Sequence, residues 1–339
     1  MTLPASMQAL NFTAINRMEL QDVAPPVIER ADDVIVRVRA AGVCGSDLHG
    51  YTGQTGRRHP PIVMGHEAAG EVVAVGDAVT RVKPGDRVAI YPLVYLPNPD
   101  TGRLERKLIG MNLPGAYAEY VKAPAGNLFP MPAALGYDAG SLTEPTAVAV
   151  HAVGITQIRP YDSVLVIGAG TIGLLTMQVL LLSGARQVVV SDVSDARLKV
   201  ARRMGAVDVV NPSKTDFDAY VRSFTAGHGF DITFEAVGIT PTVAQSVTAV
   251  KDGGKIVWIG NNQRTVEVDM QAIVTRELSV LGTYGMNERD FGRALQMLSD
   301  GKIDVASLVT RRAALGEGPS LFDELLRDPE TIKCVIQMA

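Results

Sequence analysis

The chain has 339 residues, which is typical of two domains, and its 47% apolar content predicts a packed globule rather than a disordered chain. Its formal net charge of −4, without a long basic run, argues against nucleic acid as a partner. No apolar run is long enough to span a bilayer, which argues against a membrane partner.

The first third of the chain is predicted to be rich in β-strands. Residues 33–39 alternate apolar and polar side chains, which is the period of a half-buried strand, and residues 71–76 and 86–91 are similar. The turn at 82–86 contains Pro and Gly and separates the last two of these segments. Short strands with such turns are typical of a small barrel or sandwich.

Two short segments within this region carry side chains that suit a metal ion. Their polar and sulfur-bearing members are Cys44, Ser46, Asp47, His49, His66 and Glu67. A thiolate and an imidazole are suitable ligands for zinc, and a catalytic zinc takes three protein ligands and keeps a fourth position open. We therefore expect Cys44 and His66 to be two of the three ligands.

The third ligand is expected to be a carboxylate, because the chain has no second suitable cysteine. Glu67 and Glu144 are the two candidates. Glu144 stands in a mostly apolar stretch, where a carboxylate is costly to bury unless it binds something. We expect the two glutamates to bind one at a time, in exchange with water, because both together would make zinc a weaker Lewis acid.

Residues 91–115 interrupt the strand pattern. They contain Pro92, Pro97, Pro99 and Pro114 and show no clear periodicity. We predict a long surface lobe without regular structure, and we expect it to form a subunit contact in a homodimer or homotetramer.

From about residue 161 the pattern changes to strands alternating with helices. Strands are predicted at 163–167, 187–192, 208–210, 232–235, 255–259 and 278–281. Helices are predicted at 171–183, 195–204 and 289–299, followed by a closing strand at 333–337. Six strands with helices between them predict an α/β fold with a doubly wound parallel sheet.

A glycine motif, Gly168-x-Gly170-x-x-Gly173, follows the first of these strands and opens the first helix. Its glycines permit a tight turn and a close approach of the backbone to a pyrophosphate. Thr171 and Ile172 are the first helical residues, and the N-terminus of a helix binds phosphates. The motif therefore predicts a dinucleotide site.

The second strand of this region ends at an acidic residue, Asp192, about 20 residues after the motif, where the ribose hydroxyls of a dinucleotide bind. A carboxylate there repels a 2′-phosphate, so NAD is expected rather than NADP. Arg197 is close enough in sequence to contact a phosphate or the adenine.

These motifs resemble the zinc-dependent medium-chain dehydrogenase/reductase family over nearly the whole chain. Residues 65–76 are similar to its zinc signature, and residues 83–88 to the turn that follows it. Residues 144–153 begin with Glu-Pro and resemble the sorbitol/polyol dehydrogenase branch, where this pair replaces the second cysteine ligand of ordinary alcohol dehydrogenases. Threonine and galactitol-phosphate dehydrogenases look similar in this stretch.

The resemblance implies a GroES-like, β-rich catalytic domain at 1–150 and 286–339, split around a Rossmann NAD-binding domain at 151–285. The resemblance also implies that Cys44 and His66 bind the zinc and that Glu67 or Glu144 completes its ligand shell. It implies that Ser46 and His49 form a proton relay and that Asp47 orients a metal ligand.

Two departures from the family pattern matter. The lobe at 91–115 contains no cysteine, so one catalytic zinc and no structural zinc are expected. Residues 282–287 replace an Arg-Tyr pair that animal sorbitol dehydrogenases carry, which argues against sorbitol itself as the substrate.

The expected function is hydride transfer between NAD and a secondary alcohol, a sugar alcohol or related polyol, giving the ketone. One alternative is a threonine-type amino-alcohol or sugar-phosphate dehydrogenase, for which Arg57, Arg58 and Arg106 are candidate phosphate ligands unless they form an exposed charge cluster. A different class is a zinc-free reductase or a non-catalytic nucleotide-binding protein of the same fold. Tyr51 either lines the substrate pocket or packs in the core.

The two cysteines do not form a disulfide framework, and Cys334, in an apolar strand, is expected to be core. The first residues of the sequence carry no apolar stretch typical of a signal peptide. Together these features predict a cytoplasmic protein.

Overall fold

The structure is a computed structural model that describes residues 3–98 and 100–338. Its strands are β1 (Met7–Ala14), β2 (Arg17–Val23), β3 (Asp33–Val43), β4 (Ile62–Val63), β5 (Glu67–Val75), β6 (Arg87–Ile90), β7 (Leu93–Pro97), β8 (Leu104–Leu108), β9 (Tyr120–Pro124), β10 (Leu128–Pro130), β11 (Ser163–Ile167), β12 (Gln187–Ser191), β13 (Asp208–Val210), β14 (Phe230–Glu235), β15 (Val250–Trp258), β16 (Ser279–Gly282), β17 (Val309–Ala314) and β18 (Lys333–Gln337). Its helices are α1 (Gly45–Tyr51), α2 (Tyr137–Ser141), α3 (Thr143–Thr156), α4 (Thr171–Leu182), α5 (Asp195–Arg203), α6 (Phe217–Phe224), α7 (Thr240–Ala249), α8 (Met270–Thr275), α9 (Glu288–Ser299), α10 (Val305–Leu308) and α11 (Gly318–Arg327).

The described residues form two compact units. The first contains the chain up to Glu144, together with Ala294–Gly301 and the residues from Val309 onward. The second contains Pro145–Arg293 and Lys302–Leu308. Within the described ranges, no helix is long and apolar enough to cross a membrane.

The first unit is built on β-sheets, as the alternating pattern predicts. Its largest sheet has the order β10-β6-β5-β3-β18-β17, with β9 also paired to β3, and a smaller sheet has the order β2-β1-β4. The central strand β3 runs four residues beyond the predicted end, to Val43. Its last four residues are buried on both faces, so they lack the polar alternation by which a half-buried strand is recognised.

The pairing of β3 gathers distant parts of the chain at its carboxyl end. The antiparallel neighbour β5 places Glu67 opposite Gly42, and β18, on the other side of β3, places Cys334 opposite Val43. Cys44 follows directly. Sheet register therefore brings residues 44, 67 and the start of β18 to one place, although they are far apart in sequence.

The lobe at 91–115 is not without regular structure, and this part of the prediction is wrong. Strands β7 and β8 form an antiparallel hairpin with Pro97 opposite Leu104. The side chain of Asn98 accepts the backbone N–H groups of residues 100 and 101, which closes the turn. Pro97 ends its strand rather than breaking it, so the prolines mask the pattern without preventing the hairpin. Pro99 lies outside the described residues.

Tyr51, one of the two alternatives for the pocket, packs in the core. It is 1% exposed, and its ring lies 5.3 Å from that of Phe322 and 6.4 Å from that of Phe12. Its hydroxyl donates to Oδ1 of Asp323 at 2.9 Å. Burial, and then this hydrogen bond, raise the pKa of Tyr51 from 10.0 to about 12.

A Tyr51→Phe variant is expected to change how stability depends on alkaline pH. Because the pKa of Tyr51 is raised on folding, its contribution is present below pH 10 and is lost as the pH rises to about 12. The variant should lose about 1 kcal/mol of unfolding free energy at pH 7 but decline less steeply between pH 10 and 12. Chemical unfolding across this range tests it, with the half-exposed Tyr95 changed to Phe as the control. Equal slopes for wild type and variant would contradict the assignment.

The second unit contains the predicted doubly wound sheet. Its six strands are parallel, in the order β13-β12-β11-β14-β15-β16. The chain reverses its direction of strand addition between β11 and β14, and ligands of such sheets bind at the carboxyl ends of the strands near that reversal. The glycine motif follows β11 and therefore lies at this edge.

Candidate active site

The end of β3 and the start of β5 bring three kinds of metal ligand together. The sulfur of Cys44, a ring nitrogen of His66 and a carboxylate oxygen of Glu67 all lie within 4.8 Å of one another. His66 and Glu67 are buried, while Cys44 is half-buried. Zinc binds such groups at about 2.0–2.3 Å, so small side-chain rotations would allow all three to reach one ion.

The properties of this cluster fit a zinc ion. Oε1 of Glu67 is buried and has no hydrogen-bond partner in the described part of the chain. Burial lowers the pKa of His66, but the charges of Asp47 and Cys44 raise it well above 6.5. The imidazole therefore lies in anionic surroundings that attract a positive charge. A zinc ion would supply that charge in place of a proton and give Oε1 a partner.

Glu144 is near the cluster but is not among the three groups whose ligand atoms lie within 4.8 Å. It is in the first turn of α3 and is 8% exposed. Burial raises its pKa to about 7, while the charge of His66 opposes this shift and that of Glu67 adds to it. Its carboxylate is thus close enough to interact with the charges of both neighbours, and its binding to a metal stays a prediction.

Asp47 is the centre of a buried network that holds His66. Its Oδ1 lies 3.4 Å from Nδ1 of His66 and pairs with the guanidinium of Arg58, and its Oδ2 accepts the hydroxyl of Tyr117 at 2.7 Å. Burial raises the pKa of Asp47, but the charges of His66 and Arg58 outweigh it and hold the pKa well below 3.8. A carboxylate on Nδ1 leaves Nε2 as the ring nitrogen for a metal.

Arg58 does not belong to an exposed cluster, and it is not free to bind a phosphate. Its side chain is 3% exposed and is paired with Asp47. Its neighbour Arg57 is exposed, as is Arg106. Two adjacent arginines therefore have opposite environments, which the sequence alone does not distinguish, because a buried arginine is recognised by its partner rather than by its neighbours.

Ser46 and His49 lie on one face of α1, because they are separated by three residues. The hydroxyl of Ser46 donates to Sγ of Cys44 at 3.3 Å and accepts from Arg58 at the same distance. Nδ1 of His49 lies 3.0 Å from Oε1 of Gln54, and the ring is half-buried. The hydroxyl thus adjoins the metal ligands, and the imidazole lies about one turn further along the helix.

Lys333 is a member of this cluster that sequence patterns did not indicate. It begins β18 and is 2% exposed, with Nζ at 2.5 Å from Oε2 of Glu67. Burial lowers the pKa of Lys333, but the charges of Glu67 and Cys44 raise it above 10.5. The available signal was a lysine at the start of an otherwise apolar closing strand.

The glycine motif has the geometry of a phosphate loop. Gly168 has φ +102°, which favours glycine, and a Cβ on Gly173 would lie 1.7 Å from the carbonyl oxygen of Gly168. Gly170 precedes α4, and Thr171 and Ile172 form its first turn. The N-terminus of a helix carries a partial positive charge, so this turn suits an anion.

Asp192 follows the end of β12 and connects it to the glycine motif. Its Oδ2 accepts the backbone N–H of Ala169 at 2.6 Å, and its Oδ1 accepts that of Ser194 at 2.8 Å. Arg197 lies in the first turn of α5 and is half-buried. The acidic residue and the loop therefore adjoin, as a dinucleotide site requires.

Glu235 is a second buried acid at this edge of the sheet that sequence patterns did not indicate. It ends β14, is fully buried, and its Oε1 accepts the backbone N–H groups of Val237 and Gly238 at 2.8 and 2.7 Å. A Cβ on Gly168 would lie 2.7 Å from Val237, so this turn borders the glycine motif. Its signal was an acidic residue that ends an apolar strand.

Comparisons with known proteins agree with this geometry. An alcohol dehydrogenase GroES-like domain model matches residues 30–133, and a zinc-binding dehydrogenase model matches residues 171–300. The D-xylulose reductase of Saccharomyces cerevisiae is 30% identical over 99% of each chain. The D-arabitol-phosphate dehydrogenase of Enterococcus avium is 31% identical over 95% of this chain and 94% of its own.

The fold is also that of solved zinc-type dehydrogenases. A Sinorhizobium meliloti protein solved with NADP bound is 30% identical, with a TM-score of 0.89, over 98% of this chain and 100% of that chain. The two domain models together cover most of the chain, and the relatives extend along nearly all of it. The chain therefore belongs to the zinc-dependent medium-chain dehydrogenase/reductase family, in its sorbitol/polyol dehydrogenase-like branch, and is an alcohol-oxidising enzyme that uses zinc and a nicotinamide nucleotide.

Proposed function

We propose that the enzyme converts a secondary alcohol of a free sugar alcohol or related polyol to a ketone, with NAD as the hydride acceptor. The observation that carries this proposal is the convergence of Cys44, His66 and Glu67 within 4.8 Å, with the hydroxyl of Ser46 beside them. The relative named D-xylulose reductase supports it, because reduction of a ketose and oxidation of a polyol are one reaction in opposite directions.

One catalytic zinc would be held by Cys44 and His66, together with Glu67 and Glu144 in alternation. When bound, zinc supplies a Lewis acid that lowers the pKa of a substrate hydroxyl, and NAD supplies the hydride acceptor. We assign no structural zinc, because residues 91–115 contain no cysteine. Asp47 would orient His66 through Nδ1, and the 3.4 Å distance between Oδ1 and Nδ1 supports this role.

Ser46 and His49 would carry the proton of the substrate away. Ser46 is exposed and lies next to the sulfur of Cys44, so its hydroxyl can take the proton of an alcohol bound there while it gives up its own proton toward His49. His49 is half-buried about one helical turn further along α1 and can pass the proton to water. With the proton passed from Ser46 to His49, no buried base in direct contact with the substrate is needed.

The preference for NAD over NADP is proposed from the position of Asp192. Its carboxylate is fixed beside the glycine motif by two backbone N–H groups, and a fixed negative charge there repels a 2′-phosphate. Arg197 could contact a phosphate or the adenine. The Sinorhizobium meliloti relative was solved with NADP bound, and initial rates with both nucleotides measure which one this enzyme prefers.

A sugar-phosphate or amino-alcohol substrate is the alternative within the same reaction class. The relative named D-arabitol-phosphate dehydrogenase favours a phosphate. The pairing of Arg58 with Asp47 disfavours it, because this removes one of the three candidate phosphate ligands. NADH formation with matched free and phosphorylated polyols, and with amino alcohols, separates these cases. Turnover of only the phosphorylated member of each pair would overturn the free-polyol proposal.

The functional domains are proposed as 1–150 with 286–339, and 151–285. The compact units support this division, because the chain passes from one to the other within α3 and within α9. A cytoplasmic location is proposed from the two cysteines, both of which are free thiols.

A homodimer or homotetramer is also proposed, with the β7–β8 hairpin as a contact. One face of this hairpin carries Tyr95 and Pro97 opposite Arg106 and Leu104. Tyr95 is 54% exposed and Leu104 is 69% exposed, whereas Val94, on the other face, is buried. An exposed apolar face of this kind suits contact with a second copy.

A Leu104→Asp variant is expected to have a smaller mass in solution than the wild type, because a buried, unpaired carboxylate opposes association. Light scattering after size-exclusion chromatography measures the mass. Val207→Asp, at another exposed apolar residue, serves as the control. If the wild type is an oligomer and the Leu104→Asp variant has the same mass, the hairpin is not part of the interface.

A further inference from the structure

A lysine lies buried beside the proposed metal ligands, and the proposed reaction assigns it no role. Lys333 is 2% exposed, and its Nζ lies 2.5 Å from Oε2 of Glu67. The same Nζ donates to the backbone oxygen of Val43 at 3.0 Å. An ammonium group so far from water is costly unless it is paired, so its position next to a metal ligand requires a reason.

The ion pair is fitted closely against the backbone of β3. A methyl group at Gly42 would lie 2.1 Å from Oε2 of Glu67 and 3.2 Å from Cε of Lys333, so the pair fills the space that glycine leaves. The other oxygen of Glu67, Oε1, is buried and without a hydrogen bond to any residue in 3–98 or 100–338. One oxygen of this carboxylate therefore binds a cation, and the other is open to a second.

Resting on the proposed zinc site, we propose that Lys333 is a positioning residue that competes with zinc for the carboxylate of Glu67 and thereby limits how tightly the protein holds the metal. The ammonium group repels a zinc ion bound nearby, and each bond from Glu67 to zinc weakens its attraction to Lys333. Lys333 also gives Glu67 a partner when it is not on the metal, so that state does not leave the buried carboxylate unpaired.

This competition explains how two glutamates can share one ion. With Cys44, Glu67 and Glu144 all ionised, the negative charge around zinc would exceed the charge of the ion. Lys333 offsets one of those charges, and the charge of Glu144 is felt at its ammonium group as well. Glu67 can then leave the metal for Lys333 while Glu144 binds, and the exchange keeps the net charge of the cluster constant.

A Lys333→Met variant tests this inference, because it removes the ammonium group and keeps most of the apolar stem. The zinc dissociation constant of the metal-free variant, measured by competition with a chromophoric chelator, is expected to fall by roughly tenfold or more. The absorption spectrum of the Co²⁺-substituted variant should also change, because Glu67 stays on the metal. Lys122→Met removes a paired lysine from β9 of the same sheet and should leave both quantities unchanged.

A second comparison covers the case in which Lys333→Met does not fold without metal. In Glu67→Gln, Lys333 still repels the zinc ion but has no carboxylate partner, so zinc binding should weaken. The double variant Glu67→Gln/Lys333→Met carries neither charge and should bind zinc more tightly than Glu67→Gln. Removal of the lysine without a gain in zinc affinity, in either background, would overturn the inference and make Lys333 a structural countercharge only. A wild type that binds no zinc would instead overturn the proposed zinc site, and this inference with it.

Discussion

A Cys44→Ser variant is expected to lose its zinc and to lower kcat/KM for the alcohol by about 10³-fold or more. A serine hydroxyl stays protonated at neutral pH, so it cannot replace the thiolate as a ligand. The remaining groups would be His66 and two glutamates, of which Glu67 has Lys333 as a competing partner. The metal content of the purified variant and its initial rates are the two measurements.

Cys334 offers a matched control for this variant, because it is the other cysteine of the chain. It is 2% exposed in β18, and burial raises its pKa to about 11, which makes it an inert thiol. Cys334→Ala is therefore expected to keep both zinc and activity, apart from a modest loss of stability. A Cys44→Ser variant that keeps its zinc and its rate would remove Cys44 from the metal site.

An Asp192→Asn variant is expected to raise the ratio of kcat/KM for NADP to that for NAD by about 10²-fold. The substitution removes the charge that repels a 2′-phosphate but keeps one oxygen that can accept a backbone N–H. Asp192 also holds Ala169 in the glycine motif. The variant should therefore also have a lower kcat/KM for NAD, because the loop is held less firmly. Initial rates with both nucleotides at varied concentration give the ratio.

Asp195→Asn is the control for the nucleotide preference. Asp195 lies three residues further on, is exposed, and pairs with Lys214 on the surface. Its neutralisation changes the net charge of the unit in the same way, without altering the acid next to the glycine motif. An equal change in the ratio from both variants would mean that general charge, and not the position of Asp192, sets the preference.

The parts of this molecule that depend on local pattern could be predicted from the sequence. The strands of the parallel sheet and the helix after Gly173 follow from apolar runs bounded by turn residues, and β11 and β13 match their predicted bounds. Cys44, His66 and Glu67 stand out because a thiol, an imidazole and a carboxylate occur within two short segments. Such features need only a few adjacent residues to be recognised.

The features that could not be predicted depend on partners that no local pattern reveals. Lys333 reaches Glu67 only because β18 pairs with β3, and Arg58 is buried only because Asp47 faces it. The hairpin of β7 and β8 was not predicted because prolines such as Pro97 disfavour a strand. That Pro97 lies at the end of its strand is clear only once the partner strand is known. For Lys333 and Arg58 the deciding contact is made by a residue outside the local segment.

Turnover of a polyol is expected to depend on a zinc ion held by Cys44 and His66. The most direct test is NADH formation on a panel of free polyols, with and without a strong zinc chelator, alongside the metal content of the protein. We predict turnover of at least one free polyol, its loss on removal of about one zinc per chain, and its return when zinc is added back. Turnover that is unaffected by removal of the metal would contradict the account.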